Sequence, residues 1–295
     1  MTLRNLLVRR LRGLDRDQAA NLVKAGGVYV NRLRVRLPMV RMAPGERVTV
    51  YRRALEVRAL AVNDLSIVYR DPSFMVLDKR SGVPVAPTRS SARGTLTEAL
   101  IEMLKAEGVE RPYVGVLHRL DRGASGLVIL TTRGAANASF HRQFLTHEIR
   151  RTYRVLVSGE PPEAVRCDAP LLLLQTGGVK IASAGEPSAK PARTRFRRVG
   201  VRTHGGQVRV LVEAEIETGR THQIRAHAAH LGFPVVGDRR YGATSSAARP
   251  AVPSDLSAER GLCLHAWRLG FAHPHTGEAL ELESPLPRWA EPESD

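Results

Sequence analysis

Between residues 208 and 216 the chain reads VRVLVEAEI. Val208, Val210, Val212, Ala214 and Ile216 fall on one side of an extended backbone, and Arg209, Glu213 and Glu215 on the other. A period of two is wrong for a helix and specifies a strand with one buried face. Such a strand needs sheet neighbours and a covering layer. Other segments can supply them. "LSIVYR" and "FMVLDK", separated by Asp71-Pro72-Ser73, read as a hairpin, and "YVGVL", "RTYRVLVSG", "LCLHAWRLGF" and "ALELE" read as further strands. Helices are expected from Thr95, with Glu98 as its capping partner, to Gly108, then from Ala135 to Phe144, and over "THQIRAHAAHLG". The Ala-, Ser- and Pro-rich stretch 242–259 is expected to be an exposed loop. Strands outnumber helices and most are joined by short turns, so the expected class is α+β with a mixed, largely antiparallel sheet.

Charge divides the chain. Residues 1–53 carry thirteen Arg or Lys against three acids, ten of the sixteen net positive charges of the whole sequence. Asp15 and Gln18 form a capping-box pair ahead of Ala19, Leu22 and Val23, and Gly26-Gly27 stops that helix. "VYVN" and "RVTVYR" read as short strands with Pro44-Gly45 as a turn between them. Two short helices and a small sheet make a compact basic module over 1–53, with 54–64 as a linker and a larger domain over 65–290. On that boundary, removing residues 1–60 should leave a folded remainder. The excess of cations favours a polyanionic partner, and aromatics at 5% argue against a broad base-stacking platform. No apolar run of membrane-spanning length occurs. The N-terminus interrupts its apolar residues with arginines, unlike a secretory signal. Two distant cysteines, Cys167 and Cys263, fit a cytoplasmic protein.

The residues able to do chemistry fall into three clusters: "HRLD" at 118–121, Tyr153, and residues 218–242 with Arg220, His222, Arg225, Asp238 and Tyr241. Ser125 does not sit in a nucleophile elbow, because Leu127 stands where a glycine is required. His222, His227 and His230 lack zinc-helix spacing and an accompanying acid, so no metal is expected. No phosphate-binding glycine loop or dinucleotide fingerprint occurs, so no cofactor is expected. What remains is an acid among arginines and a phenol on a basic protein. Neighbouring cations keep a carboxylate ionised, and an ionised aspartate can act as nucleophile or general base. On these residues alone, a loop salt bridge with a neighbouring arginine is the favoured reading of Asp121.

The three clusters, in this order, closely resemble the RluA-type pseudouridine synthases. "HRLDRGASGL" matches the family's catalytic loop, Tyr153 its strand tyrosine, and "GRTHQIR" with Gly237, Asp238, Tyr241 and Gly242 its downstream signature. "LDKRSG" and "LHAWRLGFAHP" match two further segments, and the resemblance spans roughly residues 65–287. Residues 13–31 and 43–50 resemble a small RNA-binding domain of the S-four type, a common attachment in that family. Two positions depart from the family pattern: Ala124 replaces a threonine, and Arg80 a proline.

The resemblance implies isomerisation of uridine to pseudouridine in RNA, by base flipping and Asp-initiated cleavage of the glycosidic bond. It implies Asp121, Tyr153 and Arg220 as catalytic residues, with Arg220 paired to Asp121. Arg119 would fill the space left by the base, and His118, His222, Arg225 and Lys79 would contact RNA. The expected partner is large-subunit ribosomal RNA, with transfer RNA as the alternative, acted on by a monomer without metal, cofactor or membrane. The competing expectation is a non-catalytic RNA-binding assembly factor, whose mark would be loss of Asp121, Tyr153 or Arg220.

Overall fold

A computed structural model describes the chain apart from residues 89–91, 176, 184, 205–206, 243–261 and 292–295. The stretch read as an exposed loop lies, beyond Gly242, outside the described residues. In chain order the elements are α1 (Leu3–Arg10), α2 (Arg16–Lys24), β1 (Val28–Val30), β2 (Leu33–Val35), β3 (Val48–Val50), β4 (Ser66–Arg70), β5 (Phe74–Lys79), α3 (Leu96–Ala106), β6 (Gly115–Val116) and β7 (Ser125–Thr131). Then follow α4 (Ala135–Leu145), β8 (Arg150–Ser158), β9 (Ala164–Cys167), β10 (Leu171–Leu173), β11 (Val179–Ile181), β12 (Thr194–His204), β13 (Gln207–Ile216), α5 (Gln223–His230), β14 (Leu264–Ala272) and β15 (Ala279–Glu283). The chain divides into two compact units, one of residues 1–65 and 83–116, the other of 66–82 and 117–295.

The first unit begins with the expected capping box. Gln18 N–H donates to Asp15 Oδ1 at 2.7 Å, and Asp15 N–H to Gln18 Oε1 at 3.2 Å. Leu3, Leu7, Leu22, Val23 and Val28 bury one face of α1 and α2 against the three-stranded sheet β2-β1-β3. The strand β2 was not legible, because its Leu33 faces outward and is 74% exposed. Residues 54–64 are no free linker: Ala54 is buried in this core. Nor does the unit end there. Residues 83–116, read above as part of the larger domain, cluster with it. Ala92 N–H donates to the Ala25 carbonyl at 2.8 Å, and Arg34 donates to the Thr88 carbonyl. A Cβ on Gly94 would lie 2.7 Å from the Arg58 carbonyl oxygen, so backbone packs directly on backbone there.

The second unit is built on a sheet of order β4-β5-β7-β14-β8-β13-β12-β9, with β15 added on β14. Along that path every pairing is antiparallel except β7 with β14. The alternating segment is β13, and its inward residues Val210, Val212 and Ala214 are buried. Its neighbour β12 was not read from the sequence. The outward residues of β12 are arginines, which disguise its alternation, and Arg195 and Arg197 pair with Glu215 and Glu213 across the strands. "YVGVL" was expected as a strand and forms only the two residues of β6. On the β5-β7-β14 side, Phe74, Phe140 and Phe271 pack edge to face or tilted, with ring centroids 5.1–5.7 Å apart.

The parallel pairing of β7 and β14 depends on one glycine. Gly126 has φ of +104°, and a Cβ there would stand 2.2 Å from the Ala266 carbonyl oxygen. A methyl group therefore meets backbone as well as an unfavourable conformation. Gly126→Ala should cost about 3 kcal/mol or more, and lower Tm by on the order of 10 °C in thermal unfolding. The unit boundaries change the expectation for truncation. Removing residues 1–60 strips the partners of residues 83–116, so the fragment should melt roughly 5 °C or more below the full chain.

Candidate active site

The segment 117–124 leads into the buried strand β7, and its conformation is held by backbone carbonyls. Lys79, the last residue of β5, is completely buried. Its Nζ donates to the carbonyls of Arg80 at 3.0 Å and Arg122 at 3.2 Å, and to that of Ala124. Gly82 N–H donates to the Arg122 carbonyl at 2.8 Å, and Ser81 Oγ to the Gly123 carbonyl at 2.6 Å. Lys79 thus braces the loop and is not an RNA contact, because no part of it reaches solvent. Burial pulls its pKa down to about 7, against the pull of Asp121 and Asp78 toward the charged form. Because Lys79 binds Ala124 through its carbonyl, the loop is braced without the hydroxyl absent at that position.

His118 is also structural. Its Nε2 accepts the Ile129 N–H at 2.9 Å, which requires that nitrogen to be unprotonated. Burial first, and Arg151 second, hold its pKa down to about 3. A neutral imidazole turned onto the backbone of β7 is not a cationic RNA contact. Arg119, next along, is exposed on the rim of the cavity.

Asp121 faces α5. Its Oδ2 accepts from Arg225 Nη1 at 2.7 Å, and its Oδ1 lies 3.7 Å from His222 Nε2. Arg225 turns the rest of its fork to Asp238, with Nε to Oδ2 at 2.7 Å and Nη2 to Oδ1 at 2.9 Å. The Asp238 side chain is wholly buried, and it also accepts backbone N–H from Arg240 at 2.8 Å and Tyr241 at 3.1 Å. Burial works against charge on both partners. It is outweighed, so the guanidinium is pushed above its ordinary pKa by the two carboxylates, and Asp238 is held below the usual carboxylate range by Arg225 and the backbone donors. The guanidinium lies over the Tyr241 ring, 5.2 Å from its centroid.

This corrects two expectations. Arg220 does not pair with Asp121: it is exposed, and its Nε donates to the Pro191 carbonyl at 3.0 Å. Arg225, expected to contact RNA, makes the pair instead. The reason lies in the turn. Gln223 accepts the Arg220 N–H at 3.0 Å and the Thr218 hydroxyl at 2.8 Å, and donates to the Arg193 carbonyl at 2.9 Å. That fixes Arg220 on the rim and starts α5, which presents Arg225 inward. Both arginines belong to one seven-residue motif, and spacing could not choose between them.

His222 precedes the helix in a left-handed conformation, φ 53°. Its Nδ1 lies 3.0 Å from Tyr241 Oη, which itself accepts the Val179 N–H at 2.9 Å. The tyrosine proton is therefore available to His222 Nδ1, leaving Nε2–H directed toward Asp121. Burial first, with Arg225 assisting, lowers the His222 pKa, which fits a neutral ring. His227 is buried on Thr194 and the Ala169 carbonyl, a structural role.

Tyr153 stands midway along β8, 6% exposed, between Ala214 of β13 and Ala266 of β14. Two small neighbours leave its ring room. Burial, reinforced by Asp121 and opposed by Arg151, raises its pKa, so it is a neutral phenol. Asp121, Tyr153, His222 and Arg225 line a cavity of about 440 Å³ with Arg119 and Arg220 also in its wall. That volume is in the range of a small-molecule site and suits one nucleoside. Sequence reading had quoted Asp238, Gln223 and Tyr241 within a motif without giving them roles; their signal was the company they keep with Arg225.

The RNA pseudouridylate synthase family matches residues 73–230, over half of the chain. The chain is 34% identical to ribosomal large subunit pseudouridine synthase C of Yersinia pestis, over 96% of this chain and 87% of that protein. It is 32% identical to RNA pseudouridine synthase 2, chloroplastic, of rice, over 93% of this chain and 74% of that protein. Among solved structures, human RNA pseudouridylate synthase domain containing 1 superposes with a TM-score of 0.61 at 27% identity, covering 78% of this chain and 87% of that one. With an aspartate held by Arg225 and a buried tyrosine on one nucleoside-sized cavity, the chain belongs to the RluA-type RNA pseudouridine synthases, isomerases that act on RNA.

Proposed function

We propose that this enzyme isomerises a uridine of large-subunit ribosomal RNA, with Asp121 as the group that starts the chemistry. The observation that carries the reading is the ion-pair chain from Asp121 through Arg225 to Asp238, on the cavity that Tyr153 also lines. The assignment to ribosomal RNA rests on relatives such as the Yersinia pestis protein, which aligns over nearly the whole chain. Cys167 and Cys263, buried and not joined in a disulfide, suit the reducing cytoplasm where ribosomes are made.

In the reaction, the bond from ribose C1′ to uracil N1 breaks with its electron pair passing to the base. The base turns, C5 bonds to C1′, the C5 proton leaves and N1 regains one. A uridine inside a helix must first be flipped out, and Arg119 on the exposed rim is placed to take its position. Asp121 attacks the sugar or removes a ribose proton, and the hydrogen bond from Arg225 Nη1 fixes the direction of its carboxylate. Tyr153 offers its ring to the flipped uracil, and its hydroxyl is the neutral group placed to relay the C5 proton. The first unit, with most of the cationic excess, supplies affinity for the RNA backbone.

Mapping pseudouridine in total RNA with and without the gene should show one or a few sites lost from large-subunit RNA; sites lost only from transfer RNA would reassign the substrate. Asp121→Asn should slow single-turnover conversion roughly a thousandfold or more, about 4 kcal/mol, with RNA affinity within a few-fold; appreciable turnover would remove Asp121 from its role. The two arginines separate by stability. Arg225→Met leaves Asp238 buried without its cation and should cost about 3–5 kcal/mol together with activity. Arg220→Met should leave the melting temperature unchanged. Equal destabilisation by both would contradict the ion-pair chain.

A further inference from the structure

Arg151 is a buried cation without a carboxylate. It lies on β8 two residues before Tyr153, on the same face, and is 7% exposed. Among the described residues no acid lies within ion-pair distance of it. Its Nη2 donates to the Glu217 carbonyl at 3.2 Å, and its Nε is buried with no acceptor. The Phe144 ring lies 5.3 Å from the guanidinium carbon. A Cβ at Gly219 would stand 2.9 Å from Nη1, so the glycine leaves this guanidinium its space. Other arginines on or beside the same sheet are neutralised: Arg154 by Glu213 at 3.2 Å, Arg193, just before β12, by Glu217 at 3.2 Å, Arg195 by Glu215 at 3.5 Å, and Arg150 by Glu281.

The position is as telling as the pairing. Arg151 lines the reaction cavity and also a second, narrower cleft that includes His147, Thr194 and the glutamates Glu215 and Glu217, which are paired with Arg195 and Arg193. It stands where the two meet. Burying a guanidinium is costly unless an anion compensates it. Here no carboxylate pairs with it among the described residues, the glutamates of the second cleft being taken by Arg193 and Arg195, yet the guanidinium borders both clefts. A strand carrying a nucleotide into the first cavity can run on through the second cleft, and its phosphodiester is an anion with the geometry a guanidinium fork prefers. We propose that Arg151 is the receptor for one backbone phosphate of the RNA strand beside the flipped nucleotide. The inference rests on the reading that the cavity takes a nucleotide of RNA; its test does not need catalysis.

The probe is a single-stranded uridine nonanucleotide, bound by the full-length protein across a salt series. Arg151→Gln and Arg151→Met should weaken binding about five- to tenfold and make the log–log salt slope shallower by about 0.7, the value for one phosphate contact on a single strand. Arg151→Lys should keep the slope. Nonanucleotides with one neutral methylphosphonate linkage, moved position by position, should weaken binding to the wild type at a particular linkage and leave Arg151→Gln indifferent there. Thermal melting supplies a second reading. An unpaired receptor can be neutralised without loss, so both neutral variants should melt at or above the wild-type temperature. An unchanged slope with slower conversion at saturating RNA would place Arg151 on the base and overturn the proposal. So would unfolding of both neutral variants, which would make the arginine structural. A shallower slope stands even if mapping finds no pseudouridine, and pseudouridine formed with an unchanged slope sinks only this inference.

Discussion

The site depends on one guanidinium. Arg225 spends its Nε and one terminal nitrogen on Asp238 and the other terminal nitrogen on Asp121. An arginine can do this because its donors are fixed in a plane and point in different directions; a lysine offers a point charge with no such fork. Asp238 is secured in turn by the N–H groups of Arg240 and Tyr241. The direction of the Asp121 carboxylate is therefore set by a turn more than a hundred residues further along the chain. Asp121 in turn favours the charged form of buried Lys79 behind the loop, against the effect of burial.

The aspartate loop is held from the other side by main-chain groups. Lys79, Ser81 and Gly82 bind the carbonyls of residues 122–124, so that segment's shape is insensitive to most of its own side chains. Gly126 then lets β7 lie directly against β14, and β14 lies against β8, which carries Tyr153. Acid and phenol reach one cavity because the sheet order places a parallel pair beside an antiparallel one. The small residues Ala214 and Ala266 on either side of Tyr153 leave space beside its ring.

Charge proved the hardest property to read. Lys79, His118 and Arg225 all looked like groups for RNA, yet each is turned inward onto backbone, strand or carboxylate. A charged residue is most often exposed, so sequence reading sends it to solvent by default. The same bias hid β12, where arginines on the outer face broke the apolar alternation that had revealed β13. Arg151 shows the reverse case, a buried cation whose missing partner is visible only once its surroundings are.

The sequence by itself determined what depends on near neighbours. The alternation of β13, the capping box at Asp15 and Gln18, the hairpin around Asp71-Pro72-Ser73 and the family motifs in their order are all local patterns, and local hydrogen bonding and burial follow from them. The tertiary structure decided which arginine meets Asp121, that Lys79 is a brace, and that residues 83–116 belong with the N-terminal unit. These are contacts between residues distant in the chain. Their distances follow from strand order and the pitch of α5, and an ion pair forms only where those distances fall to about 3 Å.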